Sequence, residues 1–234
     1  MYKQSLPVAD NIARIEECLV NACERAGRRR DEITLMGVSK FVPLSKINEA
    51  YLAGIRCFGE SRVKEAAEKF LNYNDVFPEL KLHLIGSLQR NKAKNALVLF
   101  DCIQSIDRIE LIEELIKHIS LRTKPLEILF ELHTGEETKT GFDDTDALCR
   151  AVEFVLNCNN NLKPAGLMTM APFTKDTQMI RSSFRKLVSV QKELEKHFPK
   201  ETFSCLSMGM SNDFEIAIEE GSTMLRIGSA IFNG

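Results

Sequence analysis

The sequence predicts an α/β protein, a single (β/α)8 TIM barrel with an extra N-terminal helix. The chain has 234 residues, which is close to the size of one such barrel. Short runs of nearly continuous apolar residues alternate with segments whose apolar residues recur at helical spacing. Polar and small residues collect directly after the apolar runs, where a barrel of this type carries its functional site.

The first segment predicts a helix that precedes the barrel. Between residues 8 and 26 apolar side chains recur at intervals of four and three, and Gly27 follows in the position that ends a helix. No helix is expected after the last strand, because the chain stops there. We therefore expect the N-terminal helix to fill the vacant place in the outer ring.

The other elements follow in alternation. The predicted strands cover residues 33–40, 55–60, 82–86, 102–106, 126–132, 165–170, 203–206 and 223–225. The predicted helices cover residues 44–53, 62–71, 91–100, 108–119, 145–156, 176–198 and 214–218, and a polar loop spans 134–141. An open doubly wound sheet is the alternative, but this alternation without a linker favours a closed barrel that forms one domain over residues 1–234.

The composition argues against several classes of partner and site. The chain is 44% hydrophobic with a net charge of −2, so no overall field favours nucleic acid or an anionic membrane. No apolar run approaches the ~20 residues of a membrane-spanning helix. The 7 cysteines are scattered and include no CxxC pair, and no His/Cys/carboxylate spacing suggests a metal site. Free thiols and the lack of an apolar leader predict a cytoplasmic protein.

Lys40 is the strongest candidate for a residue that forms a covalent bond with a ligand. It ends the first apolar strand, so its side chain is expected inside the barrel mouth. Desolvation there would favour the uncharged amine, which is the form that attacks an aldehyde. The alternative is a lysine whose ammonium group extends from the rim into water.

The loops after the seventh and eighth strands predict a phosphate site. They carry Ser207, Gly209, Ser211, Gly228 and Ser229, and in (β/α)8 barrels these two loops commonly hold a phosphate through backbone N–H groups and hydroxyls. Tight turns without a ligand are the alternative.

Arg226 lies on the eighth apolar strand and is expected to be partly buried. A buried guanidinium needs an acceptor other than bulk water. The acceptor is either a ligand or, in a purely structural role, a carboxylate such as Glu60. His83, inside a strand, is interpreted as a satisfied core residue.

Several motifs, in order along the chain, resemble those of the pyridoxal phosphate homeostasis protein family. The similarity runs from about residue 33 to residue 232 and rests on motifs that are weak singly and specific together: Val38-Ser39-Lys40, Phe58-Gly59-Glu60, His83-Leu84-Ile85-Gly86 with Leu88-Gln89 and Asn91-Lys92, Gly166-Leu167-Met168-Thr169-Met170-Ala171-Pro172, Ser207-Met208-Gly209-Met210-Ser211, and Arg226-Ile227-Gly228-Ser229-Ala230-Ile231-Phe232.

The resemblance implies a barrel like the N-terminal domain of alanine racemase that carries pyridoxal 5′-phosphate (PLP). Lys40 would hold the cofactor as an internal aldimine, and Arg226 would face the pyridine nitrogen. Ser207, Gly228 and Ser229 would bind the phosphate, and the implied site also includes Ser61, Met208, Gly209 and Ser211. The family is described as a carrier and regulator of the cofactor and of amino-acid pools, so PLP-dependent apoenzymes are possible partners.

The sequence departs from the family pattern in three places. Ser61 stands where the family commonly has Asn, and Leu132-His133 replaces a strand end that usually carries Asn. The terminus, Phe232-Asn233-Gly234, is shorter than usual. None of these departures affects Lys40, Arg226 or the two Gly/Ser loops.

The main alternative function is a racemase-like or lyase-like enzyme that uses the same cofactor. An arginine cannot take the proton of the pyridine nitrogen, which weakens the ring as an electron sink. The similar racemases use a tyrosine from a second domain of the partner chain, whereas Tyr2, Tyr51 and Tyr73 all lie early in this sequence. We therefore expect a carrier, not an enzyme, and a monomer.

A third functional hypothesis is an enzyme of another class, a Schiff-base aldolase that acts on a sugar phosphate without a cofactor. The first-strand position of Lys40 and the family resemblance disfavour it.

Overall fold

A computed structural model describes residues 7–71, 77–135, 140–158 and 161–233, and these form a closed barrel of eight parallel strands. The strands pair in sequence order, and the last pairs with the first. The strands are β1 Thr34–Val38, β2 Cys57–Glu60, β3 Lys81–Leu84, β4 Cys102–Ile106, β5 Leu126–Glu131, β6 Leu162–Met168, β7 Cys205–Ser207 and β8 Met224–Ile227. The predicted fold class is confirmed.

Helices surround the barrel. In the described residues they are α1 Val8–Arg25, α2 Leu44–Leu52, α3 Val63–Phe70, α4 Ala93–Leu99, α5 Ile109–His118, α6 Thr145–Asn157, α7 Thr177–His197, α8 Phe214–Glu219 and α9 Ser229–Phe232. Short 3-10 turns occupy Arg30–Glu32, Arg90–Lys92 and Ile119–Leu121. The expectation that no helix follows the last strand was wrong, because the four residues of α9 form one helical turn after Gly228.

Helix α1 takes the place in the outer ring that the sequence predicts for it. It packs against α2, α8 and α9 and buries Ile12 and Leu19. Asn11 Nδ2 donates to Ile231 O at 2.9 Å, and Arg25 pairs with Glu215 at 2.6 Å. The helix therefore supports the segments that follow β7 and β8.

Strand β6 starts earlier than predicted. Lys163 and Pro164 interrupt its apolar pattern, yet Leu162 already pairs with Leu126 of β5. The register shifts between the pairs at Pro164 and Gly166, which leaves Ala165 as an extra residue. A bulge of this kind accommodates a residue without an N–H group inside a sheet.

The apolar core has two layers. The larger layer lies between the barrel and the helices and includes Phe58, Phe130 and Phe184. The second fills the barrel interior with sulfur-containing and small aliphatic side chains, among them Met36, Cys57, Met224, Cys102, Leu129 and Met168. Burial raises the pKa of Cys57 well above its ordinary value, so this thiol stays protonated at neutral pH.

Candidate functional site

Lys40 lies at the mouth of the barrel, two residues after β1 ends. Its side chain is exposed, so the expectation of a buried amine was wrong. The chain leaves the strand at Val38, and the backbone turns sharply at Phe41, which has a left-handed φ of 60°. Ser39, in contrast, is fully buried.

The loops after β7 and β8 meet beside the end of β1. The hydroxyl of Ser229 donates to that of Ser211 at 3.2 Å, and both side chains are at least partly accessible. A Cβ atom on Gly228 would lie 3.3 Å from Val38 Cβ, so the β8 loop passes close to the strand that leads to Lys40. The structure therefore brings Ser211, Gly228 and Ser229 together with the segment that carries Lys40.

Gly209 shapes the first of these loops. It has a φ of +97°, and an added Cβ would come within 2.6 Å of Ala217 Cβ and 2.8 Å of Leu225 Cδ2. Only glycine fits such a backbone without strain. The carboxylate of Asp213 accepts the Met210 N–H at 2.5 Å and closes the loop.

Ser207 and Met208, which are expected in the cofactor site, lie deeper in the barrel than the loops that follow β7 and β8. The Ser207 side chain is fully buried, and its hydroxyl donates to Gln104 Oε1 at 2.7 Å. Met208 packs in the outer core layer, and its N–H donates to Met224 O at 3.1 Å. The Ser207 hydroxyl proton and the Met208 N–H are therefore already bonded inside the protein. This corrects the expectation that the Ser207 hydroxyl contacts the phosphate, and it leaves Met208 without a free donor for a ligand.

Arg226 is buried in the barrel interior and is held by carbonyl groups. One guanidinium nitrogen donates to Ser207 O at 2.6 Å and to the Ser207 hydroxyl at 2.8 Å, and another donates to Thr169 O at 2.7 Å. Burial lowers the pKa of Arg226 to about 10, and the charges of Asp213 and Glu131 oppose the shift. Arg226 is therefore a cation at neutral pH, and its hydrogen bonds to Ser207 and Thr169 fix its orientation.

The alternative pairing of Arg226 with Glu60 was wrong. Glu60 accepts a hydrogen bond from Ser39 at 2.7 Å and pairs with Lys69 of α3 at 3.0 Å. These partners place the carboxylate between the barrel and the helices.

A chain of hydrogen bonds continues from Arg226 towards the lower part of the barrel. Ser207 connects Arg226 to Gln104, and Gln104 Nε2 lies 2.9 Å from His83 Nδ1. Because Gln104 Nε2 is a donor, His83 Nδ1 accepts and its proton is on Nε2. Burial lowers the pKa of His83 to about 4, in keeping with its interpretation as a satisfied, neutral core residue. Sequence reasoning missed Gln104, whose only signal was a polar residue inside an apolar strand.

Two carboxylates, Asp107 and Glu131, lie on the β4 and β5 side of the barrel. Burial raises the pKa of both above the ordinary value. Arg108 pairs with Asp107 at 2.5 Å, and Thr140 donates to Glu131 at 2.8 Å.

The two positions that depart from the family pattern have different surroundings. Ser61 follows β2 at the mouth and is partly accessible. A Cβ on Gly86 would come within 2.3 Å of Ser61 O, so the ends of β2 and β3 touch. His133 Nδ1 lies 3.2 Å from Asp143, and its carbonyl accepts from Lys186 of α7 at 2.9 Å. Of the loop that precedes α6, residues 136–139 lie outside the described residues.

Two further properties concern residues 7–71, 77–135, 140–158 and 161–233. In these ranges no group of three or more His, Cys, Asp or Glu side chains is arranged to hold a metal ion. None of the helices there is both long and apolar enough to span a membrane.

Comparison with known proteins places these features in context. The family model for the alanine racemase N-terminal domain matches residues 13–234. The chain is 37% identical over 223 residues to the pyridoxal phosphate homeostasis protein of Aquifex aeolicus strain VF5, covering 95% of this chain and 96% of that protein.

The fold is also shared by solved structures of other proteins. PipY of Synechococcus elongatus PCC7942, a structure with PLP bound, superposes with a TM-score of 0.84 at 30% identity and covers 96% of this chain and 99% of PipY. Alanine racemase from E. faecalis superposes with a TM-score of 0.71 at 16% identity and covers 97% of this chain but only 58% of the racemase. The second likeness extends to the barrel fold alone.

Proposed function

The chain belongs to the alanine racemase N-terminal domain family and, within it, to the pyridoxal phosphate homeostasis proteins, and from this premise we propose that it binds PLP at the barrel mouth. It would carry or buffer the cofactor and take part in PLP homeostasis and amino-acid balance in the cytoplasm. PLP-dependent apoenzymes would be the recipients.

The observation that carries the proposal is the convergence of three different groups at one end of the barrel. Lys40 offers an amine, Ser211 and Ser229 offer hydroxyls 3.2 Å apart, and Arg226 offers a buried cation. PLP presents an aldehyde, a phosphate and a pyridine nitrogen, which are the three complementary groups. The PLP-bound structure of PipY, 30% identical over nearly the whole chain, supports this match.

Each residue would have a distinct role in holding the cofactor. Ser211, Ser229 and the first N–H groups of α9, which have no intrahelical acceptors, suit a phosphate. Gly209 and Gly228 keep the loops close, and Arg226 suits the pyridine nitrogen. Ser61 would line the β2 side of the mouth.

The cofactor supplies an aldehyde that condenses with a primary amine. Lys40 Nζ would attack the aldehyde carbon, and the carbonyl oxygen would leave as water with both protons of the amine, so that a covalent Schiff base remains. Lys40 is exposed, so water and competing amines reach it. This accessibility suits exchange of the cofactor with a recipient.

A carrier fits the groups around Arg226 better than an enzyme does. As a donor, Arg226 would leave the pyridine nitrogen without a proton, and the ring would stabilise a carbanion poorly. The Tyr51 ring packs against Phe77 in a tilted arrangement, with ring centroids 5.0 Å apart, and lies under the Arg56 guanidinium, which leaves it unsuited to act as a second base. Tyr2 and Tyr73 lie outside the described residues.

Absorbance spectroscopy with borohydride trapping tests the proposal. With PLP added, the wild-type protein should develop a visible band, and mass spectrometry after reduction should locate the adduct on Lys40. Lys40→Ala should abolish both without unfolding the barrel, whereas Lys64→Ala, an exposed lysine on α3, should behave as wild type. An adduct scattered over surface lysines would refute the Lys40 assignment, and saturable exchange of an amino acid's α-proton with solvent would refute the carrier role.

A further inference from the structure

The two residues that flank Lys40 are both fixed by charged side chains of the neighbouring elements. Ser39 Oγ donates to Glu60 Oε1 at 2.7 Å, and Ser39 O accepts from Lys69 Nζ at 2.8 Å. On the other side, the Phe41 N–H donates to Glu65 Oε1 at 2.5 Å. Lys40 itself takes part in none of these bonds.

Lys69 connects the two carboxylates. Its ammonium lies 3.0 Å from Glu60 and 2.8 Å from Glu65. Only 15% of the Lys69 side chain is exposed, 18% of Glu65 and none of Glu60. One buried and two partly buried charged groups thus lie at hydrogen-bonding distance, and the buried carboxylate of Glu60 would be costly without its lysine partner. We call Glu60, Glu65 and Lys69 the rim clamp.

The backbone at Phe41 shows what the rim clamp achieves. Phe41 has a φ of 60°, a conformation that costs a non-glycine residue free energy. Its ring is 73% exposed, so burial of the ring does not compensate for this cost. The bond from Val42 N–H to Ser39 O at 3.0 Å closes the turn, and the bond from Phe41 N–H to Glu65 fixes the turn to α3. The turn sets the position of Lys40, which lies within it.

We propose that Glu65, supported by Lys69 and Glu60, is a positioning residue that holds the Lys40 backbone in place for reaction with PLP. The proposal rests on the proposed function. It adds to that function a set of residues on α3 and β2 that do not touch the cofactor. An anchored amine loses less freedom when it forms the covalent bond, so the rim clamp should raise the affinity for PLP.

Substitutions on one helix separate positioning from folding. Glu65→Ala removes the acceptor for the Phe41 N–H and one partner of Lys69, while Glu68→Ala makes the same change at an exposed position of α3. Glu65→Gln keeps an oxygen acceptor without the charge. Phe41→Gly removes the conformational cost of a left-handed φ at residue 41, but it makes the backbone of the turn more flexible.

The first readout does not require the cofactor. Hydrogen–deuterium exchange should show a protected Phe41 amide in wild type and Glu68→Ala, and a rapidly exchanging one in Glu65→Ala. Equal protection in Glu65→Ala and Glu68→Ala would show that Glu65 does not hold the turn and would overturn the proposal.

The second readout is the PLP concentration that half-saturates the borohydride-trapped adduct on Lys40. Glu65→Ala should need about tenfold more PLP, the effect of losing one hydrogen bond to a charged group. Glu65→Gln should recover most of the difference. Phe41→Gly should unfold no more easily than wild type yet bind PLP more weakly, a combination that general destabilisation does not produce.

The outcomes distinguish this proposal from the proposed function. Absence of a Lys40 adduct in wild type would refute the cofactor site, and the positioning role with it. A normal wild-type adduct combined with equal half-saturation in Glu65→Ala and Glu68→Ala would overturn the positioning role alone.

Discussion

At the level of single residues, Arg226 owes its orientation to groups that lie below it in the barrel. Its guanidinium donates to the carbonyls of Ser207 and Thr169. The Ser207 hydroxyl is in turn committed to Gln104, whose amide is oriented by His83. In this series of hydrogen bonds, from Arg226 through Ser207 and Gln104 to His83, each donor meets an acceptor only while His83 Nδ1 carries no proton. The charge state of a histidine is thus coupled to the site by hydrogen bonds.

The same histidine should make stability depend on pH. Burial lowers the pKa of His83 from 6.5 to about 4, and the nearby charges are Asp101 and Lys81. Between these pH values the unfolded chain binds the proton and the folded chain does not. The free energy of unfolding therefore has its full value with respect to His83 above pH 6.5. It falls as the pH is lowered towards 4, by up to about 3 kcal/mol.

Urea unfolding as a function of pH measures this contribution. The carboxylates of Glu60, Glu131 and Asp213 have raised pKa values and act in the opposite sense, so the informative quantity is a difference between variants. His83→Gln should lose less stability than wild type between pH 6.5 and 4, and His197→Gln, at an exposed position of α7, should match wild type. Parallel curves for wild type and His83→Gln would contradict the assignment.

At the level of elements, the N-terminal helix supports the site from outside. Arg28, just beyond α1, donates to Ile218 O at 3.1 Å and to Ser222 O at 2.6 Å. Ile218 lies in α8, and Ser222 lies in the connection between α8 and β8. Arg28 therefore joins the end of α1 to α8 and to the segment behind the loops that follow β7 and β8.

Two adjacent arginines provide a test of this connection. Arg28→Ala should lower the free energy of unfolding by about 1–3 kcal/mol, because two buried or half-buried carbonyls lose a charged donor. Arg29→Ala should have no measurable effect, since the Arg29 side chain is 76% exposed and forms surface ion pairs with Asp31 and Glu32. Urea denaturation of both variants measures the difference, and equal stabilities would show that α1 is anchored by its apolar face alone.

The success of sequence reasoning also varies from element to element. The position of Gly228 and Ser229 after β8 and the burial of Arg226 on that strand were predictable, because a parallel strand reveals its end by a change from apolar to small and polar residues. Ser207 was assigned to the loop, but β7 includes it, and a shift of one residue decides whether a side chain faces the mouth or the interior. The local pattern of apolar and polar residues does not determine the end of a strand to within one residue.

Other residues were beyond the reach of local patterns. Gln104 meets Ser207 across 103 positions, and Lys69 meets Ser39 across 30. Their roles follow from barrel closure and helix docking, which bring together segments with no common motif. The exposure of Lys40 depends in the same way on the turn at Phe41, which the acceptor on α3 holds.

At the level of the whole molecule, the open mouth and the oligomeric state are connected. Among the described residues, Phe41 after β1 and Phe173 after β6 are exposed, at 73% and 85%. A partner over the mouth would cover these rings and obstruct transfer of PLP to a recipient.

We therefore expect a monomer whose mass does not change with concentration or with added PLP. Sedimentation equilibrium over a wide range of concentrations, with and without PLP, measures this directly. Phe173→Ser should leave the mass unchanged, because the ring has no partner chain to lose, and Val20→Ser on the outer ring, where α1 exposes 39% of Val20, serves as the matched control. A wild-type dimer that Phe173→Ser dissociates and Val20→Ser does not would show that copies of the chain close the mouth, and delivery of the cofactor would then have to follow dissociation.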